Sequence, residues 1–136
     1  MTYNKYKIDQ PPIENGILPV CEALNAIPGV STIWSCEGHP ERPTPPYVCF
    51  NADRQVAFKI HEMLGDGDAG KKLKYLWRLT ATFDQNGGYE YTICSNDKRI
   101  LDDSNRLMSF FSGKRWNQSD MEKELLKLSS LLNELA

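Results

Sequence analysis

The sequence predicts an α+β domain, with about four strands in one mixed sheet and elements in the order α-β-β-α-β-β-α-α. Three observations carry that class. Residues 73–83 alternate apolar and polar and run into Asn86-Gly87-Gly88, the signature of a hairpin. Two short β-branched and aromatic runs flank a proline-rich stretch at 37–46. Apolar residues at helical spacing recur in the remaining segments.

The elements follow in order. Residues 1–14 are a polar lead closed by Pro11-Pro12. Ile17, Val20, Cys21, Leu24 and Ile27 fall at helical spacing, so a helix is expected over 18–26, with Pro19 in its first turn and Pro28-Gly29 as its stop. Val30 to Cys36 reads as the first strand and Tyr47 to Asn51 as the second. Asp53 is placed to cap a helix with Val56, Ala57, Ile60, Met63 and Leu64 on one face. That helix ends in the glycine-rich stretch 65–70, expected as a mobile loop. Leu73 to Phe83 and Tyr89 to Ser95 form the hairpin. Leu107, Met108, Phe110 and Phe111 suggest a short helix closed by Gly113. Ser119 and Glu122 form a capping-box pair for a last amphipathic helix, 119–136, whose stripe is Met121, Leu125, Leu128, Leu132 and Leu135.

A chain of 136 residues with 40% hydrophobic and 25% charged residues is of a size and composition to build a single domain, 1–136, around its own core. The net charge of −2 and pI near 5.7 do not favour nucleic acid as a partner. No stretch approaches the roughly 18 apolar residues of a membrane span, and Met1 to Gln10 lacks the apolar block of a signal peptide. A cytoplasmic location is therefore expected, with Cys21, Cys36, Cys49 and Cys94 as reduced thiols. The last helix suits either packing on the sheet or a weak homodimer seam. Monomer and weak homodimer both remain open.

Chemically capable groups concentrate at Ser35-Cys36-Glu37-Gly38-His39, where the first strand ends. Gly38 allows a sharp turn, Pro40 pushes His39 toward extended backbone, and the following prolines stiffen the loop. Three chemistries fit such a turn. Cys36 can act as a nucleophile with His39 as base, although such partners rarely lie this close in sequence. Cys-x-x-His can supply two metal ligands, but Cys49, His61 or Cys94 would have to complete the set, and nothing in the sequence places them nearby. The third chemistry, a turn binding a small polar or nucleotide-type ligand, is the leading expectation. Its candidate residues are Ser35, Cys36, Glu37, Gly38, His39, Arg42, Tyr47 and Arg78. No residue is assigned as metal-ligating, and the catalytic residues and any cofactor stay unassigned. A purely structural turn, with Cys36 packing as a small hydrophobe, is the alternative at this position. At the level of the whole chain, the alternative is a non-catalytic interaction module of the phage or plasmid accessory type, acting through the last helix.

The segment Leu24-Asn25-Ala26-Ile27-Pro28-Gly29-Val30, then Thr32, Ser35-Cys36-Glu37-Gly38-His39 and Pro46-Tyr47-Val48-Cys49-Phe50 resembles a group of small uncharacterised bacterial and phage proteins. The shared pattern is Leu-Asn-x-x-Pro-Gly, Thr, Ser-Cys-x-Gly-His. More remotely it is similar to the wybutosine-synthesis methyltransferase family, which modifies a tRNA guanosine with S-adenosylmethionine and has a comparable Thr-x-x-Ser-Cys-x-Gly turn. That family usually carries a basic residue at the position of His39. The resemblance spans residues 20–52, roughly a quarter of the chain, and implies a shared fold and a shared turn.

Overall fold

The computed structural model describes residues 12–40, 44–65, 72–95, 97, 100 and 116–136. Within them the elements are α1 (Leu18–Ala26), β1 (Ser31–Cys36), β2 (Tyr47–Asn51), α2 (Arg54–Gly65), β3 (Trp77–Phe83), β4 (Tyr89–Ser95) and α3 (Gln118–Asn133). The four strands form one sheet in the order β1-β2-β4-β3, and every neighbouring pair is antiparallel.

The expected mixed sheet is thus corrected to a fully antiparallel one. Helix α2 carries the chain from β2 to β3, and these two strands run in the same direction. The hairpin partner β4 then inserts between them, so no two parallel strands touch. The described residues also hold one helix fewer than expected. The short helix anticipated around 107–111 and the glycine-rich loop at 66–70 lie outside them.

All three helices belong to one core with one face of the sheet. Val20, Cys21 and Leu24 of α1 pack with Met121, Leu125, Leu128 and Leu132 of α3. Val48, Phe50, Tyr91 and Ile93 supply the sheet side, and Ala57, Ile60 and Leu64 supply that of α2. The apolar stripe of the last helix is therefore covered within the chain, chiefly by α1 rather than by the sheet on which the sequence pattern placed it. Helix α3 is capped two residues earlier than the capping-box pair implied. Asn117 accepts from the amides of Ser119 at 2.7 Å and Asp120 at 3.3 Å.

Strand β3 begins at Trp77, not Leu73, and a buried carboxylate explains the difference. Glu124 of α3 is 1% exposed and accepts from the amides of Lys74 at 2.8 Å and Tyr75 at 2.7 Å. It also takes the indole N–H of Trp77 at 3.0 Å. Asp97 takes the Leu76 amide at 2.9 Å. With those amides held by carboxylates, the ladder starts only at Trp77↔Ser95. Leu73, Tyr75 and Trp77 still enter the core, so the sequence alternation reads through a segment that is not strand.

Strand β1 carries a bulge. Thr32 pairs with Phe50 and Trp34 with Cys49, leaving Ile33 as the extra residue. One inserted residue reverses the alternation, so Ser35, opposite Val48, faces the helices. Cys36, opposite Tyr47, faces the other side.

Replacing Glu124 by alanine would strip three buried or part-buried donors of their acceptor, and a loss of about 3 kcal/mol is expected from urea denaturation. Glu124→Gln, which keeps one carbonyl oxygen, should lose less. An alanine variant within a few tenths of a kcal/mol of the parent would contradict the role given to this carboxylate.

Candidate functional site

The turn after β1 is built against the segment before α1. The Glu14 carbonyl accepts from the amides of Ile17 at 3.3 Å and Leu18 at 3.1 Å, which fixes Glu14 at the entrance to the helix. Its side chain reaches the turn. One oxygen accepts from the Glu37 amide at 3.0 Å, and the other lies 3.0 Å from His39 Nε2. In the reverse direction, the Glu37 carboxylate accepts from the Gly16 amide at 2.8 Å. A Cβ at position 16 would collide with the Glu37 carboxylate, so glycine is what allows this approach.

Gly38 has a φ of 88°, a conformation that side chains with a Cβ rarely adopt. A Cβ there would also stand 2.8 Å from the ring of Trp116 and 2.9 Å from Pro46 Cδ. Buried Trp116, just before α3, thus closes the turn from the second side. His39 is held by its backbone: its amide donates to the Thr44 carbonyl at 2.8 Å, and the Thr44 amide returns to the His39 carbonyl at 3.2 Å. The imidazole is 20% exposed and the Glu14 side chain 34%, so their contact is reachable from solvent.

These constraints bring one sulfur, one imidazole nitrogen and one carboxylate oxygen together. Potential ligand atoms of Glu14, Cys36 and His39 all lie within 4.8 Å of one another. The Gly38 amide donates to Cys36 Sγ at 3.4 Å. Burial pushes the Cys36 thiol up; the Gly38 amide opposes this, and the negative charges of Glu14 and Glu37 add to the rise. A thiol so held is protonated at neutral pH, which disfavours the unaided nucleophile. Tyr47 is likewise pushed up, first by burial and then by Cys36, Cys49 and Glu14.

The remaining candidates fall in different places. Ser35, opposite Val48, faces the helices, away from the cluster. Tyr47 stands beside Cys36, half-buried, on the sheet face away from the helices. Arg78 is on that same face and in the same cross-strand row, Cys36–Tyr47–Cys94–Arg78. Three strand spacings, roughly 14 Å, separate the two ends of the row. Arg42 lies outside the described residues. Among the described residues that face carries no helix.

Glu14 was not legible as a site residue. It sits 22 residues before Cys36, in a polar lead without periodicity, and only the folded contact between Gly16 and Glu37 brings it in. A groove of about 720 Å³ lies elsewhere, between α2 and the hairpin, lined by Arg54, Phe58, His61, Glu62, Leu79 and Tyr91. Its charged groups, Arg54, His61 and Glu62 among them, are exposed along α2.

No family model, curated protein or solved structure matches the chain. Among the described residues no helix is long and apolar enough to cross a membrane.

The thiols of Cys21, Cys36 and Cys49 are all raised, with burial the largest cause in each. Their unfolded counterparts titrate first, so stability is fully present below about pH 8.5 and is lost as pH rises above it. Urea midpoints measured with a chelator present should fall between pH 7 and pH 10. A flat or rising profile would show that these thiols are not protected by the fold.

Proposed function

We propose that this domain binds a small polar ligand of nucleotide type at the turn after β1. The observation that carries the reading is the meeting of Glu14, Cys36 and His39, brought together from two separate segments by hydrogen bonds from backbone amides to the Glu14 and Glu37 carboxylates. Polar groups held this way are pre-organised, so a ligand need not pay for ordering them. His39 and Glu14 offer a donor–acceptor pair, Tyr47 offers a ring and a hydroxyl beside it, and exposed Arg78 offers an anion contact at the far end of the row. A span of roughly 14 Å from Cys36 to Arg78 suits a base or sugar at one end and a phosphate or carboxylate at the other. The local acidic and aromatic character suits a single nucleotide better than a polynucleotide, in keeping with a net charge of −2. The remote similarity of the turn to that of the wybutosine-synthesis methyltransferase family adds S-adenosylmethionine to the compounds to try.

The interaction-module alternative loses its main support, because the apolar stripe of α3 is buried within the chain.

Thermal melting with a panel of nucleoside monophosphates, triphosphates and S-adenosylmethionine tests the reading. At least one compound should raise the midpoint. His39→Ala should weaken its binding about tenfold or more and Arg78→Ala by a similar factor for anionic members, while His61→Ala leaves it unchanged. A compound whose binding is indifferent to His39 and Arg78 but lost on changing His61 would move the site to the α2 groove.

A further inference from the structure

We propose that Glu14, Cys36 and His39 form a three-ligand site for a zinc-class divalent cation, leaving a fourth coordination position for water or ligand. This deepens the reading of the β1–β2 turn as a binding site and rests on it.

The donor set is the first argument. One thiolate, one imidazole and one carboxylate is a borderline-soft combination that suits zinc and is poor for magnesium or calcium. Three protein ligands with an open position is the pattern of zinc sites that act on a ligand, whereas closed structural sites have four.

Geometry is the second. Tetrahedral zinc at its usual bond lengths separates ligand atoms by roughly 3.5 Å. The three donors already lie within 4.8 Å, and His39 Nε2 is 3.0 Å from a Glu14 oxygen, so closure asks only for side-chain rotation. Cys36 and His39 come from one Cys-x-x-His turn, which can close around a single ion. Glu14 arrives independently from the segment before α1, supplying the third ligand that the sequence does not place.

The surrounding bonds are the third. The Gly38 amide donates to Cys36 Sγ, and the Glu37 amide donates to the Glu14 oxygen that does not face His39. Both can persist with the ion bound, orienting the ligands from outside as supporting hydrogen bonds do in metal sites. The exchange balances simply. The cation takes the place of the Cys36 thiol proton, which leaves to solvent. Neutral His39 places its proton on Nδ1, freeing the Nε2 lone pair, and the direct His39–Glu14 hydrogen bond gives way to two metal bonds.

The test uses the untagged full chain, incubated with zinc, freed of excess and measured by elemental analysis, with cobalt(II) as a spectroscopic probe. One zinc per chain is expected, together with a thiolate-to-cobalt charge-transfer band. Cys36→Ser should abolish the band. His39→Ala and Glu14→Gln should each weaken zinc binding at least tenfold, whereas Cys94→Ser and His61→Ala leave it unchanged. Far-ultraviolet circular dichroism on each variant separates loss of metal from loss of fold. A folded parent that retains no zinc, or a cobalt band that survives Cys36→Ser, would overturn the site. Zinc absence combined with a nucleotide shift sensitive to His39 would overturn the metal alone. Stoichiometric zinc lost in Cys36→Ser, with no nucleotide shift, would support the metal and remove the nucleotide.

Discussion

Two carboxylates and two backbone amides, exchanged between the segment before α1 and the turn after β1, set where the polar groups of the candidate site stand. Glu14 accepts from the Glu37 amide while Glu37 accepts from the Gly16 amide. Hydrogen bonds from backbone amides to ionised carboxylates are among the stronger ones available, about 1.5–3 kcal/mol each where water is excluded and less at partly exposed positions such as these. Their greater effect is geometric. They bring a carboxylate from a polar lead against Cys36 and His39, and they do so without help from regular secondary structure.

The rest of the fold holds that arrangement from behind. Trp116 lies against Gly38 and Pro46, and it directly precedes α3, which is itself tied to the start of β3 through Glu124. The turn is thus gripped between the two helices that pack on each other, α1 through Gly16 and α3 through Trp116. The bulge at Ile33 adds the last requirement. Without it Cys36 would face the core and Ser35 the open side, and the sulfur would be hidden from Glu14 and His39.

Much of the frame is legible in the sequence because it rests on local rules. Pro19 and Pro28-Gly29 bracket α1, the Asn86-Gly87-Gly88 turn marks the β3–β4 hairpin, and the aromatic and β-branched run at Tyr47 marks β2. What escapes is non-local. The start of β3 is set by Glu124, which lies 47 residues or more along the chain from its three donors. The antiparallel outcome depends on β4 inserting between β2 and β3, a choice of strand order that periodicity does not encode. The Cys36–His39 half of the cluster lies in one short motif and can be read directly. Its Glu14 partner depends on a glycine without local signature, so the sequence offers Cys-x-x-His with no third group.

The claim on which all of this turns is that the segment before α1 and the β1–β2 turn are locked to each other in the free protein. Amide hydrogen exchange of the full chain, followed by NMR at Gly16 and Glu37, measures that directly. Slow exchange at both amides is expected, with protection at Glu37 lost in Glu14→Ala while Ile93 in β4 stays protected. Unprotected exchange at both amides in the parent chain, beside a protected Ile93, would contradict the lock and leave Cys36 and His39 without their third partner.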